Sequence, residues 1–153
     1  EERFAQVADY LILRYKAKVI IVGGPKDDEK IKKTLGFMKE KTRTLSTTDL
    51  NLDELKALTS KLNLFISVDT GPIYIAEAFD VPTIDITGPI DEKEQPPQGL
   101  LHRNVTPPYR SRPELFVLNA RFYNKKEALR QVNSITVDLV KKEIDALMRD
   151  LKQ

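Results

Sequence analysis

The chain has 153 residues, of which 41% are hydrophobic and 31% charged, and it contains no cysteine. This length and composition are typical of one globular domain. The lack of cysteine excludes disulfides and a cysteine nucleophile and fits a reducing compartment, while the single histidine, His102, excludes a multi-histidine metal site. A net charge of +2 argues against broad nucleic-acid binding. No apolar run reaches the length of about 20 residues that crosses a bilayer.

The first part of the chain alternates between helical and extended patterns. An apolar stripe at helical spacing predicts a first helix. Residues 18–22 form a short apolar run rich in β-branched side chains, which is typical of a strand buried on both faces of a parallel sheet. Residues 26–40 are charged on one side and apolar on the other, and predict an exposed helix. The stripe of the first helix consists of Phe4, Val7, Ala8, Leu11 and Tyr15.

The middle of the chain continues this alternation. Residues 42–45 predict a short strand, and a helix follows from Asn51 to about residue 61. Its start is well marked, because Asn51 is a good cap and Glu54 completes a capping box. Residues 64–68 predict another buried strand.

The last part of the chain is less regular. We expect a helix over residues 73–79, a strand over 82–87, and then a proline-rich loop over 88–114. A short strand over 115–118 precedes a final helix that Thr136 caps. The order of the elements predicts an α/β fold with an open parallel sheet and helices on both faces. We place the whole of residues 1–153 in one Rossmann-like, three-layer domain.

Three of the predicted strands end in turns of small residues. Ligands of open α/β sheets bind beyond the carboxyl ends of the strands, so we expect these turns to meet at one edge of the sheet. The middle turn opens a helix, where unpaired amides favour an anion, and the hydroxyl of Thr70 adds a donor. A phosphate or a diphosphate matches this chemistry. The turns are Gly23-Gly24-Pro25, Asp69-Thr70-Gly71-Pro72 and Thr87-Gly88-Pro89.

The same residues also have a purely structural interpretation. Thr70 is of the type that caps helices, Gly71 suits a tight turn, and Pro72 suits a first helical position. Asp69 is more simply a residue that holds the turn through its own backbone than one that contacts a ligand. Taken alone, the residues of the middle turn favour this structural interpretation, and so do those of the Gly23 turn.

The segment from Leu64 to Asp91 resembles the signature of glycosyltransferase family 9, the ADP-heptose:lipopolysaccharide heptosyltransferases. That signature has an aspartate, a threonine or serine and a glycine, followed by a short alanine-rich helix, Gly-Val-Pro, a strand and Gly-Pro-Thr-Asp. The first turn, the helix start at Asn51 and both ends of the chain are similar to the family as well. The resemblance therefore covers nearly the whole chain.

The resemblance implies that the chain is the C-terminal half of a GT-B enzyme, in which two Rossmann-like domains face each other across a cleft. It implies a nucleoside-diphosphate sugar as donor, ADP-linked, and a lipopolysaccharide-type acceptor lipid at a membrane surface. It also implies a cytoplasmic enzyme, peripheral at the inner membrane face, that uses no metal and no cofactor. The general base of the family lies in the N-terminal acceptor domain. We thus expect no catalytic residue here, and an isolated chain that binds donor weakly and transfers nothing.

The resemblance also assigns donor-binding roles to individual residues. Those on the diphosphate and sugar side are Asp69, Thr70, Gly71, Pro72 and Tyr74. Those that line the rest of the cleft, with the first three on the nucleotide side, are Gly23, Gly24, Pro25, Gly88 and Pro89.

The chain departs from the family pattern at several positions. Tyr74 stands where the family usually has a histidine; its hydroxyl can donate, but it brings no positive charge, and it equally fits a half-buried core residue. Asp80 replaces a helix-ending glycine, and Ile90 replaces a threonine. Residues 92–124 match the family poorly, and His102 within them is expected to be a solvated loop residue.

Two other interpretations remain open at the level of the sequence. The chain fits a non-catalytic nucleotide-binding or interaction module in which the turns serve only the fold. It also fits a GT-B relative that acts on a different nucleotide sugar, such as an epimerase.

Overall fold

A computed structural model describes residues 1–94, 97–116 and 122–152 of the chain. The chain divides into two compact units, Glu1–Leu55 and Lys56–Gln153. Every strand pair in the described residues is parallel, which confirms the α/β class. The hydrogen bonds divide the strands between two sheets, one in each unit, where a single sheet was expected. The assignment of residues 1–153 to one domain stays a prediction.

The first unit packs two helices against a two-stranded sheet. Helix α1 (Glu2–Tyr15) leads into strand β1 (Val19–Val22), and helix α2 (Asp28–Phe37) leads into β2 (Thr44–Thr47), which pairs with β1. Of the stripe predicted for α1, Val7 and Ala8 are buried as expected, whereas Phe4 is exposed and Ala5 and Ile12 are buried in addition. The core of this unit consists of Ala5, Ala8, Ile12 and Met38, with Val19, Ile21 and Leu35 packed against it.

Helix α3 (Leu52–Thr59) begins where the sequence predicts it. The side chain of Asn51 accepts hydrogen bonds from the amides of Asp53 and Glu54, both at 3.0 Å. Glu54 Oε2 in turn accepts from the Asn51 amide at 2.8 Å, which confirms the capping box.

The second unit is built on a three-stranded sheet. Strand β3 (Phe65–Val68), helix α4 (Pro72–Ala78) and strand β4 (Thr83–Ile86) follow one another as predicted. Strand β5 (His102–Val105) then adds to the far side of β4, which gives the order β3-β4-β5. The predicted loop over 88–114 is therefore wrong in this part, since it contains a strand of the sheet.

Two helices close the second unit. Helix α5 (Lys125–Ser134) was not predicted, although the side chain of Asn124 caps it by accepting from two amides. Helix α6 (Val137–Asp150) is capped by Thr136 Oγ1, which accepts from the Leu139 amide at 3.2 Å, as predicted. Of the strand predicted over 115–118, Leu115 forms an isolated parallel bridge with Ile90, and residues 117 and 118 lie outside the described residues.

Helix α6 covers one face of this sheet. Arg103 of β5 pairs with Asp150 at the end of α6, and Arg103 lies in register with the fully buried Ile84 of β4. Because side chains alternate between the faces of a strand, Thr83 and Asp85, which flank Ile84 on β4, point to the face opposite α6. The helix buries Val140, Ile144 and Leu147.

Helix α4 ends in a Schellman motif. The Val81 amide donates to the Ala76 carbonyl at 2.9 Å, and the Asp80 amide donates to the Glu77 carbonyl at 3.0 Å. This motif places Asp80 in the left-handed region, with φ at 53°. The glycine that the family often has at this position is thus explained, because glycine adopts this conformation without strain.

We expect Asp80→Gly to raise the free energy of unfolding by about 0.5–1 kcal/mol, because it relieves a left-handed backbone that costs residues with a Cβ atom. Urea unfolding followed by circular dichroism measures the change. Asp80→Ala is the matched control and should lower the free energy of unfolding, since alanine keeps the strain and loses the tolerance of aspartate for this region. An Asp80→Gly variant less stable than the parent chain contradicts this account.

Candidate functional site

Two of the three predicted turns lie side by side at one edge of the β3-β4-β5 sheet. Val68 and Ile86, the last residues of β3 and β4, are register partners in a parallel pair. The turns that follow them, which begin at Asp69 and Thr87, consequently leave adjacent strands at the same edge. This is the edge where open α/β sheets bind ligands.

The residues of the first turn are held by hydroxyl contacts. Thr70 is exposed, and its Oγ1 lies 2.9 Å from the hydroxyl of Ser67, which also donates to the Val68 carbonyl at 2.7 Å. Thr70 does not cap α4, because the residue at the cap is Gly71 and no side-chain hydrogen bond is formed there. The alternative in which Thr70 serves only as a helix cap is therefore wrong.

Gly71 leaves open space in front of the turn. Its backbone has φ −45° and ψ −41°, a conformation open to any residue, so the turn does not need a glycine for backbone reasons. A Cβ atom added at this position meets nothing within 4 Å. The surface beside Thr70 and Gly71 is thus uncovered by any of the residues that the structure describes.

Asp69 is half-buried at the start of the same turn, and burial raises the pKa of its carboxyl group above the usual range. Tyr74, one turn into α4, is 37% exposed, which leaves open both a ligand contact and the half-buried position that the sequence allowed. Burial and then the charges of Asp69, Asp85 and Glu77 raise the pKa of the Tyr74 hydroxyl. The phenol therefore stays neutral and faces a carboxylate-rich surrounding.

The second turn is built more tightly. Gly88 is buried with φ at +58°, and a Cβ atom there would lie 3.3 Å from the side chain of Val132. The guanidinium of Arg110 donates to the carbonyls of Gly88 at 3.2 Å and Ile90 at 2.8 Å. The Pro89 carbonyl accepts from two further amides of the chain. Gly88 is needed for the fold itself, and the turn forms a rigid wall beside the first one.

The turn at Gly23 belongs to the first unit and is also occupied by internal contacts. A Cβ atom on Gly23 would lie 2.8 Å from the Cβ of Asp27, so glycine is required for the chain to pack there. The Gly24 amide donates to Asp27 Oδ2 at 3.1 Å. Gly24 and Pro25 are exposed. A nucleotide contact by Gly23, Gly24 and Pro25 stays a prediction.

Asp85 is a residue that sequence reasoning missed. It lies at the centre of β4 with no solvent exposure, and neither carboxyl oxygen has a hydrogen-bond partner among the described residues. Burial first, and the charge of Asp69 second, raise its pKa to about 7. The sequence does contain a signal for it, which is a single acidic residue inside an otherwise apolar strand. Burial of such a residue costs free energy unless the carboxyl is neutral or paired.

His102 is placed differently from the prediction. It is the first residue of β5 and partly buried, and its Nδ1 lies 2.9 Å from Thr83 Oγ1. Burial lowers the pKa of the imidazole. The expectation of a solvated loop histidine is wrong because the segment around it extends the sheet.

Two further features bear on the chemistry. Within residues 1–94, 97–116 and 122–152, no group of three His, Cys, Asp or Glu side chains is arranged to hold a metal ion. Across the same described residues, every helix is too short or too polar to cross a bilayer.

Comparison with known proteins relates most of the chain to one family. The family model of glycosyltransferase family 9 (heptosyltransferase) matches residues 1–131. This match runs through residues 92–124, which the sequence alone related poorly to that family. It stops before the final helix, Val137–Asp150. The curated protein sequences contain no match.

Two solved structures share the fold. One is a glycosyl transferase of family 9 from Veillonella parvula DSM 2008, at a TM-score of 0.73 and 24% identity over 99% of this chain. The other is the ADP-heptose lps heptosyltransferase II of E. coli, at a TM-score of 0.77 and 18% identity over 99% of this chain. This chain spans 41% and 42% of those two proteins, so it corresponds to less than half of each.

The two glycines at this edge should respond to the same substitution with opposite signs. Gly88→Ala is expected to lower the free energy of unfolding by about 1–2 kcal/mol, through its left-handed backbone and the contact with Val132. Gly71→Ala should raise it by up to about 1 kcal/mol, because the backbone suits alanine and the unfolded chain loses freedom. Urea unfolding of both variants tests this pair. Equal effects would show that the two turns are not built as described.

Proposed function

The chain belongs to glycosyltransferase family 9, and from this premise we propose that it is the part of a glycosyltransferase that binds the nucleotide-sugar donor. The donor is a nucleoside-diphosphate sugar, ADP-linked, and the acceptor of the whole protein is a lipopolysaccharide-type lipid. The ADP-heptose lps heptosyltransferase named among the structural neighbours supports this choice of donor and acceptor.

The observation that carries the proposal is the uncovered surface at Thr70 and Gly71. A diphosphate is bound by donors that approach it closely, and the exposed hydroxyl of Thr70 and the open backbone of Gly71 offer such an approach. Helix α4 has seven residues, so the turn itself, rather than a helix dipole, supplies the contacts. The rigid wall formed by Gly88 and Pro89 bounds the same surface.

Asp69 has a different role from its neighbours. A carboxylate repels phosphates, so it suits the hydroxyl groups of the sugar, which donate hydrogen bonds to it. Its half-buried position places it deeper than Thr70 and Gly71, which are exposed. The sugar therefore lies inward of the diphosphate in the proposed complex.

The charges around the turn predict weak binding by this chain. Tyr74 stands where the family usually has a histidine, and burial, followed by the charges of nearby acidic groups, raises the pKa of its hydroxyl. A neutral phenol offers one hydrogen bond but no attraction for the charge of the diphosphate. We expect millimolar rather than micromolar affinity for ADP.

In the whole protein, this part stabilises the charge that builds on the leaving diphosphate, while an acidic residue of the acceptor-binding half activates the acceptor hydroxyl. The proposed reaction requires no cofactor. We expect the chain to transfer no sugar by itself, because the proposed general base belongs to the acceptor-binding half. We place the reaction at the cytoplasmic face of a membrane that carries the acceptor.

Calorimetric titration with ADP, ADP-glucose and UDP tests the donor site. The informative variant is Gly71→Val, because the fold accepts a side chain at this position while a ligand at the turn does not. We expect it to weaken ADP-glucose binding at least about tenfold, which corresponds to about 1.4 kcal/mol.

Gly36→Val is the matched control, since Gly36 also has no neighbour within 4 Å of an added Cβ atom but belongs to α2. It should bind as the parent chain does. Unchanged affinity in Gly71→Val would remove the turn from the site. Absence of binding by every nucleotide at millimolar concentration would refute the donor-binding proposal as a whole.

Tyr74→His should tighten ADP-glucose binding at acidic pH. An imidazolium beside the turn adds a charged hydrogen bond to the phosphates, and neighbouring carboxylates favour its protonated form. We expect affinity at about pH 6 to exceed that at about pH 8 by several-fold relative to the parent chain. Tyr74→Phe, which removes only the hydroxyl, controls for loss of the tyrosine and should gain no such dependence on pH.

A further inference from the structure

Asp85 lies in a polar row that crosses the sheet of the second unit. In the parallel register of the sheet, Asp85 is the partner of Ser67 on β3 and of Asn104 on β5. Register partners in a sheet point to the same face, so the three side chains lie next to one another. Asn104 Oδ1 is also buried without a partner among the described residues. The Ser67 hydroxyl donates to the Val68 carbonyl instead, and no group of the row donates to Asp85 in the described residues.

The charged groups around Asp85 do not stabilise a negative charge either. Asp69 follows β3, His102 belongs to β5, and Tyr74 and Glu77 belong to α4, which packs against β3 and β4. Asp69 and Glu77 are carboxylic acids, the Tyr74 phenol is neutral, and the histidine is partly buried with a lowered pKa, which keeps it neutral at pH 7.

Helix α6 packs against the other face of β4, where its Asp150 is paired with Arg103. That guanidinium is thus committed to its own partner on the face opposite Asp85. No element packed against β4 in the described residues supplies a cation for the carboxylate of Asp85.

We propose that Asp85 carries a proton at neutral pH and that loss of this proton weakens anion binding at the turn formed by Asp69, Thr70 and Gly71. The argument rests on the burial of both carboxyl oxygens, on their lack of a hydrogen-bond partner in the described residues, and on the nearby charge of Asp69. The part that concerns ligand binding rests on the proposed donor site.

The ordinary chemistry of a buried acid explains both halves of the proposal. A protonated carboxyl is neutral and can donate to Asn104 Oδ1, whereas an ionised one is left with buried charge and no donor. Once Asp85 ionises, a second negative charge stands behind Asp69 at the strand end. That charge repels a diphosphate at the turn, and by linkage a bound diphosphate raises the affinity of Asp85 for its proton.

The protonation is tested by unfolding at several pH values. Asp85→Asn is a close mimic of the protonated acid and cannot ionise. At low pH the Asp85 carboxyl is protonated in both the folded and the unfolded chain. As the pH rises past 3.8, the unfolded chain loses this proton while the folded chain keeps it. The free energy of unfolding of the wild type therefore falls until about pH 7. The unfolding constant of wild type relative to Asp85→Asn should therefore rise about tenfold per pH unit in this window.

A second readout does not depend on stability. Carbon-13 NMR of aspartate carboxyl groups, with Asp85 assigned by difference from Asp85→Asn, should show a titration near neutral pH. A titration of Asp85 below about pH 5, or a ratio of unfolding constants that does not change with pH, overturns the proposal.

The coupling to the site is tested with ADP-glucose, whose diphosphate, esterified at both ends, loses no proton between about pH 5 and about pH 9. The affinity of the wild type for ADP-glucose should be lower at about pH 8.5 than at about pH 5.5, by a factor of about five or more. Asp85→Asn should lose this dependence on pH. Parallel pH profiles in the two proteins overturn the coupling. If neither protein binds at any pH, the proposed function fails and the coupling with it, while unfolding and NMR still decide whether Asp85 is protonated.

Discussion

The parallel register between β3 and β4 is the constraint on which the site depends. Pairing of Val68 with Ile86 brings the ends of both strands to one edge, so that an open turn and a rigid turn become neighbours. The first turn leaves its backbone uncovered at Gly71, and the second is fixed by Arg110 through two carbonyls. If the pairing of β3 with β4 slipped by one residue, the two turns would no longer lie level with each other. The side chains of the shifted strand would also point to the opposite face of the sheet.

The face of the sheet that contains Thr83 and Asp85 buries polar side chains. Thr83 lies against His102, which satisfies both, whereas Asp85 finds no partner among the described residues. Burial of an unpaired carboxyl costs free energy unless the group keeps its proton. The protonation of Asp85 therefore affects both the free energy of unfolding of this unit and the charge near the proposed site.

Much of this architecture was predictable because local physical signals agree with the fold. Apolar runs predicted β1, β3 and β4, and the capping box at Asn51 predicted the start of α3. Strand β5 was missed because its sequence, His-Arg-Asn-Val, is polar, and its pairing depends on a partner strand that is distant in sequence. Helix α5 was missed although Asn124 and Glu127 have capping-box spacing. The environment of Asp85 needed the register of three strands, which no local pattern contains.

The open space at Gly71 has a practical consequence. The chain contains no cysteine, so Gly71→Cys would create a single thiol at a position where the backbone accepts a side chain and no atom lies within 4 Å of it. A fluorophore or spin label attached there would sit at the rim of the proposed site. Because a ligand at the turn does not tolerate a side chain on residue 71, the label should displace the nucleotide, and the loss of binding would locate the site without any assay for sugar transfer.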